Sequence, residues 1–447
     1  MIGGQNVFLT GPPGSGKSYV IRQFVNQMEG RGKRVALTAT TGIAANLLGG
    51  VTIHSWAGIY YRDHSMSANN YWTERLRNAE ILIIDEISML SANIFDKLNR
   101  LLVKARHNSQ PFGGVQVIVC GDFFQLPPVD RNNGGYAFES KSWKLLSLVV
   151  CSLSEQHRQI NDKLFTALSS LRDGLFSVDN LNDLMTRCLE PKSDTPMLLT
   201  HNQAVEMNNR LKLDNLKGET RSYRQLVNGI PRAANELSAA VLTPKLLSLK
   251  TGARVMFTAN NPKVGYVNGT QGSVVGFKHG LPVVETDNRA RLTVDVYRWT
   301  YLEYGQVLAE LIQIPLKLAW AITIHKSQGM SLETAAIDLT RSFTYGMGYV
   351  ALSRIRSLDG LYLLGLNSRS LQTDPKVRSF YDRCGLNKAR KQPADKTDIS
   401  IQKTALALYS SAVPDSFIIT SLGITKEQLE LYKLELQNCS LSATKSQ

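Results

Sequence analysis

The stretch Thr10-Gly11-Pro12-Pro13-Gly14-Ser15-Gly16-Lys17-Ser18 has the spacing G-x-x-x-x-G-K-[ST], follows the apolar run Val7-Phe8-Leu9, and opens a helical stretch from Tyr19 to Met28. In that context it is a phosphate cradle. Gly11, Gly14 and Gly16, with Pro12 and Ser15 between them, let backbone N–H groups wrap a phosphate, and the helix N-terminus adds partial positive charge. Lys17 suits the β- and γ-phosphates, and the Ser18 hydroxyl suits Mg²⁺. A second candidate is Ala79-Glu80-Ile81-Leu82-Ile83-Ile84-Asp85-Glu86, an apolar strand ending in two carboxylates. After a phosphate loop the first acid, Asp85, holds Mg²⁺. The next, Glu86, is placed to polarise an attacking water. A third is Gln125, in the polar segment after the apolar run Val115–Cys120, where it would sense a γ-phosphate. A glycine-rich turn alone would explain the loop but not the acids that follow it. The cofactors implied are ATP and Mg²⁺.

These groups need strands whose C-terminal ends lie side by side, the arrangement of an open parallel α/β sheet. Val35–Ala39 ends in Thr40-Thr41-Gly42, which offers hydroxyls to phosphates or is a plain strand–turn–helix link. Val51-Thr52-Ile53-His54-Ser55-Trp56 leaves His54 either packed or functional, and Trp56 or Tyr60 in the core or stacked on a base. Tyr61 to Asn78 is polar, without period, and is expected as a surface insertion. Asn93 to Ala105 is a helix with Ile94, Phe95, Leu98, Leu101 and Leu102 on its apolar side. Phe123 and Phe124 suit a core or a nucleic-acid track. Leu242 to Leu316 has short alternating runs broken by turn signals and is expected to be all-β.

The chain has 447 residues, 43% hydrophobic and 20% charged, enough for two to four soluble domains. No apolar run approaches the roughly 18 residues of a membrane span, and there is no secretory signal pattern, so an intracellular protein without membrane attachment is expected. The 5 cysteines are scattered with no CxxC spacing, which argues against a zinc module or a disulfide framework. A net charge of +14 suggests a polyanionic partner, most often nucleic acid, over a basic protein with none.

The motifs GPPGSGKS, LTATTGIAA, TIHSWAGI, LIIDEISML and PFGGVQVIVCGDFFQLPPV together resemble a superfamily 1 DNA helicase of the petite-integration-frequency (PIF) family, with RecD a more distant relative. The likeness runs from about Gln5 to about Asn367. Leu153–Gln159 is similar to motif IV and places an arginine at Arg158. His157 stands where an aromatic is usual and takes no role. Leu318–Gly329 is similar to motif V, and Tyr349–Arg356 to motif VI, with an arginine at Arg354. Phosphoryl transfer spreads negative charge over the γ-phosphoryl oxygens, which arginines from a facing domain stabilise. The resemblance therefore implies an α/β fold of two RecA-like P-loop domains with parallel sheets, ATP between them, and Gly329 beside the nucleotide. It divides the chain into 1–154 (with a short insertion at about 58–78), then 155–243 with 317–372. An SH3-like β-barrel is inserted at 244–316. Beyond the likeness, 373–447 reads from its Lys and Arg content and its helical periodicity as a basic linker and small helical tail. It also implies single-stranded DNA contacts at Thr40, Thr41, Thr52, His54, Thr323, His325 and Lys326, through hydroxyls and cations to phosphates.

The expected activity is ATP-driven 5′-to-3′ movement on single strands and unwinding of tailed duplexes by a monomer. The alternative is a strand-stimulated ATPase that clamps or remodels nucleoprotein. The tail either packs on the core or binds a protein partner. Two departures stand out. The family's adenine-reading glutamine lies on a helix before the P-loop strand, and Gln5 is too close to that strand to replace it. Either the sequence starts inside a longer protein or nucleotide selectivity is relaxed. The insertion at 58–78 is also short for a strand-separating wedge.

Overall fold

The computed structural model describes residues 1–59, 70–128, 134–153, 163–192, 195–241, 243–261, 263–303, 306–386, 426–427, 429–430 and 433. Among these, six parallel strands form the first sheet, in the order Val51–Thr52, Val35–Ala39, Ile81–Asp85, Gln116–Gly121, Val7–Thr10, Val149–Ser152. The strands Val7–Thr10 and Ile81–Asp85 are buried throughout, because helices cover both faces of a parallel sheet. Register does the positioning. Thr10 pairs with Gly121 and Ala39 with Asp85, so the P-loop, the acids, the Thr40-Thr41 turn and the Asp122–Gln125 loop leave the sheet at one edge.

A second parallel sheet orders Ala321–Thr323, Met197–Leu199, Ala335–Leu339 and Leu361–Leu366. Between its second and first strands the chain departs into antiparallel structure. Five strands run Arg291–Thr293, Leu281–Thr286, Gln271–Lys278, Arg254–Phe257, Leu316–Leu318, around a core including Phe257, Val274, Val284 and Leu316. Ahead of the expected start at 244, Arg221–Arg224 pairs with Leu246–Leu249 and Leu226–Gly229 pairs with Gln306–Gln313. Those two early strands are short and expose half or more of their residues, so their sequence carries little apolar signal.

The two α/β halves interlock. Helix Lys163–Asp173 buries Leu164 and Ala167 in the second core and Leu171 in the first. Helix Met347–Leu352 turns Tyr349 to the first core and Met347, Val350 and Leu352 to the second. The chain then returns: helix Pro375–Arg383 starts on an Asp374 cap and inserts Val377, Phe380 and Tyr381 into the first core. Phe380 stacks on Phe138 at 4.3 Å and Tyr381 on Phe124 at 4.7 Å. The stretch expected as a basic linker thus begins as a core helix. Its apolar residues recur at i, i+3 and i+4, while Lys376 and Arg383 face solvent.

The expected surface insertion also differs. Helix Asn70–Asn78 fully buries Leu76, and residues 60–69 lie outside the described residues. Most of the expected helical tail lies outside them too, although Leu429 is buried in the second core. Trp56, Phe123 and Phe124 are all buried and belong to the first core, not to a strand-binding surface.

Candidate ATPase site and single-strand cleft

The strand Val7–Thr10 delivers Gly11 against the backbone of Leu153. A Cβ at Gly11 would lie 2.7 Å from Leu153 O and 2.7 Å from Ser15 Oγ, so only glycine fits. Gly14 and Gly16 turn through φ of 82° and 85°, a region open to glycine. Helix Lys17–Glu29 begins with no side-chain cap and no acid in its first turn, which leaves its N-terminal N–H groups and dipole to an anion. Lys17 Nζ donates to Gly11 O (2.7 Å) and Pro12 O (2.9 Å), holding the ammonium across the loop. Ser15 Oγ is buried without a hydrogen-bond partner among the described residues. An uncapped helix, an orphaned hydroxyl and a cation held by carbonyls fit a polyphosphate. The exposed Ser18 and the Asp85 carboxylate supply hard oxygen donors suited to Mg²⁺.

Asp85 closes its strand and accepts the Glu86 N–H at 2.9 Å. Glu86 takes a left-handed conformation (φ 53°, ψ 43°), strained for a non-glycine residue. Thr40 braces that turn, its N–H donating to Asp85 O (3.1 Å) and its Oγ1 to Glu86 O (2.9 Å). Burial pushes the Asp85 carboxyl up, against the Glu86 N–H, the Cys120 thiol and the Lys17 charge. Burial also raises Glu86, the Asp85 charge adds to it, and Lys17, the Gln328 amide and Arg354 oppose it. A raised carboxyl is what a general base working near neutrality needs.

From the second half, Gln328 Nε2 donates to Glu86 Oε2 at 3.0 Å. Gly329 follows at φ 83°. Arg354 lies just beyond helix Met347–Leu352, 3% exposed, donating from Nε to Val350 O (2.9 Å), from Nη1 to Met330 O (3.1 Å) and from Nη2 to Ser353 Oγ (2.8 Å). Gln125 is buried with an unpartnered Oε1. Gly346, which caps the same helix, comes so near that a Cβ would sit 2.5 Å from Gln125 O. Lys17, Asp85, Glu86, Gln328 and Arg354 thus share one electrostatic neighbourhood. Arg158 lies outside the described residues. Gln328 carries no role in the sequence reading; it stands beside Gly329 in motif V, but nothing in the chain alone aims it at Glu86.

Thr323, His325 and Lys326 line an open cleft of about 330 Å³ between the halves. Pro127 and Pro128 wall it on one side, Thr200, His201, Asn202, Phe343 and Thr344 on the other. Phe343 is 48% exposed; its ring lies 5.9 Å from that of His325 in a stack and 5.1 Å from His201. Burial lowers the His325 pKa and the nearby His201 lowers it further, which favours a neutral ring. Thr200 and His201 were findable, since Leu199 pairs with Thr323 and the two strand ends are level. Phe343 gave no signal in the sequence.

The first-half candidates are placed elsewhere. Thr41 Oγ1 accepts the Ala44 N–H at 3.2 Å, Thr52 caps helix Ile53–Ala57 by accepting the Ser55 N–H at 3.3 Å, and burial lowers the His54 pKa. Thr40, Thr41 and Thr52 hold turns together, and none of these three nor His54 is among the described residues lining that cleft.

A family model described as PIF1-like helicase matches residues 2–173, and one described as the 2B domain of DNA helicase Pif1 matches 233–277. The ATP-dependent DNA helicase Pif1 of Psychrobacter sp. (strain PRwf-1) is 38% identical over 452 residues, spanning 85% of this chain and 69% of that protein. The crystal structure of Pif1 helicase from Candida albicans superposes with a TM-score of 0.79 at 34% identity, covering 86% of this chain and 96% of its own. Pif1 helicase from Bacteroides in complex with ADP-AlF3 and ssDNA gives 0.69 at 31%, covering 87% and 94%. The chain spans 62–69% of the length of the Psychrobacter, frog and zebrafish helicases it matches. Across both α/β halves, in sequence and in fold, the chain belongs to the PIF1-like helicase family.

Proposed function

We propose that this chain is an ATP-dependent DNA helicase that moves 5′-to-3′ on single-stranded DNA and unwinds tailed duplexes inside the cell. One observation carries the reading. Thr323 opens and Gln328 closes a single helical turn, Ile324–Ser327. Its start, with His325 and Lys326, lines the cleft, and its end donates to Glu86. A strand seated in the cleft and the hydrolytic acid are therefore joined through one turn of backbone.

ATP with Mg²⁺ supplies the phosphoryl group whose hydrolysis drives the cycle. The chain's own residues do the rest. Lys17 and the N–H groups of the P-loop bind phosphate, and Ser18 and Asp85 hold the ion. Glu86 takes the proton of the attacking water at its carboxylate, and Gln125 orients that water. Arg354 and Arg158 offer positive charge to the γ-phosphoryl oxygens. In the cleft Lys326, Thr323 and Thr200 meet phosphates, and Phe343 offers a face to a base. Thr40, Thr41, Thr52 and His54 would continue the track across the first half. Residues 1–154 and 155–243 with 317–372 act as the two jaws, and 244–316 as an inserted module.

No helix among the described residues is long and apolar enough to cross a membrane. A strand-displacement assay with matched 5′- and 3′-tailed duplexes tests the proposal. Displacement from the 5′ tail is expected. Displacement only from the 3′ tail overturns the polarity. Strand-stimulated ATPase with no displacement of either duplex would make the chain a clamp or remodeller instead.

A further inference from the structure

Asp122 has no part in the roles above, yet it is fully buried at the junction of the two halves. It follows the Gln116–Gly121 strand and precedes Gln125 by one turn. Its Oδ1 faces Arg172 Nη2 at 3.4 Å and Tyr381 OH at 3.4 Å, and its Oδ2 accepts the Tyr349 hydroxyl at 3.1 Å. Tyr381 OH also meets Thr10 Oγ1 at 2.7 Å. The Arg172 guanidinium lies 5.1 Å over Phe124 and 5.6 Å over Tyr381. Burial, then the Asp122 charge, push both phenols up, so they stay neutral donors.

The partners come from separate places. Arg172 lies on the helix that bridges both cores, Tyr349 on the helix between Gly346 and Arg354, and Tyr381 on the returning helix. Each of the two phenols is tied to a neighbour of the hydrolytic site, Tyr381 by contact with Thr10 and Tyr349 through its helix. Thr10 is bonded to Gly11 of the P-loop. Tyr349 shares a helix with the glycine that abuts Gln125 O. Packing alone would ask for none of these hydroxyls, since phenylalanine fills the same space. Besides the Phe124 N–H of its own loop (3.3 Å), the buried carboxylate meets three side-chain donors from three other segments, which holds those segments in one geometry.

We propose that Asp122, Arg172, Tyr349 and Tyr381 form a buried joint that sets the position of the Arg354 helix relative to the P-loop and Gln125. All four are positioning residues for hydrolysis. The inference rests on the ATPase part of the function proposed above and not on strand separation.

The test is steady-state ATP hydrolysis by the full chain with saturating oligo(dT), for Tyr349→Phe, Tyr381→Phe and the double variant. Both substitutions keep the ring and remove the hydroxyl, which avoids the folding risk of Asp122→Asn. Losing one hydrogen bond to a buried charge in the productive geometry should lower kcat about tenfold in each single variant, with KM for ATP within about twofold. Because both act through Asp122, the double variant should be no more than about threefold slower than either single one. Wild-type kcat in both single variants, a change in KM alone, or strictly multiplied losses in the double variant would each overturn the joint. A wild-type chain that hydrolyses ATP but displaces no strand would count against the helicase reading and leave this result standing.

Discussion

Gln328 Nε2 donates to Glu86 Oε2 over 3.0 Å, joining side chains 242 positions apart in the chain. The acid proposed as the base is thereby read by the half of the molecule that also lines the proposed single-strand cleft. Glu86 is already strained at φ 53°, and Thr40 of its own half holds its backbone carbonyl, so the residue is fixed through its main chain from one half and through its carboxylate from the other.

That contact has a pH signature. The amide stabilises the ionised carboxylate, and removing it raises a pKa that burial and Asp85 already lift. In Gln328→Leu the acid limb of the kcat/KM profile for ATP hydrolysis should move to higher pH, with lower turnover below neutrality. A limb that stays in place would show that Glu86 is not the titrating base.

Lys17→Ala and Glu86→Gln should each lower ATP turnover by at least about a hundredfold. They should differ in binding. Loss of the Lys17 ammonium, which bridges Gly11 O and Pro12 O, weakens nucleotide affinity, whereas Glu86→Gln retains it. Turnover like wild type in either variant, followed by phosphate release, would refute the assignment.

Arg354→Ala should spare ATP binding to within about threefold and cut hydrolysis about a hundredfold or more. Arg354→Lys keeps charge without the planar fork and should recover little. Equilibrium nucleotide titration beside single-turnover hydrolysis separates the two effects. An intact rate of hydrolysis would remove Arg354 from the site.

In the cleft, Phe343→Ala should weaken oligo(dT) binding by about 1–3 kcal/mol if a base stacks on the exposed ring. Lys326→Ala should flatten the dependence of log affinity on log salt by about 0.7. Fluorescence anisotropy across a salt series measures both. An unchanged slope would place Lys326 off the phosphate track.

Lys317 offers a stability test. Burial, and then the Lys326 charge, push it down to about 8 from 10.5. Below pH 8 it is charged in both folded and unfolded states, so its penalty to folding is fully present. As pH rises from about 8 towards 10.5 the folded chain sheds a proton that the unfolded chain keeps, and this group's penalty is relieved. Lys317→Met should therefore raise the melting temperature by a few degrees, about 2–4 °C, at pH 7, and by less near pH 10. An equal shift at both pH values would assign the effect to packing rather than to charge.

Much of the nucleotide site was legible because it is local. Glycine spacing, an ammonium and a strand ending in two acids are encoded within short windows, and the open parallel sheet brings strand ends together by register. Thr323, His325 and Lys326 were named through the resemblance to motif V, and the fold sets all three along one cleft. Local reading went astray where contacts are long-range and the apolar signal is thin. Trp56 stays open between core and base stacking until the fold buries it. Arg221–Arg224 and Leu226–Gly229 fall ahead of the barrel start expected at 244 until their partner strands arrive, and Lys376–Arg383 looks like a basic linker until Val377, Phe380 and Tyr381 find the first core.

The sequence by itself determined what the P-loop can bind and which acids can act with it, since those chemistries depend on residue type and near spacing. Tertiary structure alone decided that Gln328 reaches Glu86, that Phe343 joins His325 and His201, and that Asp122 gathers Arg172, Tyr349 and Tyr381. Such pairings are set by how two packed halves and a returning helix meet. That geometry comes from many small apolar contacts summed over the whole chain, and no short stretch of sequence contains it.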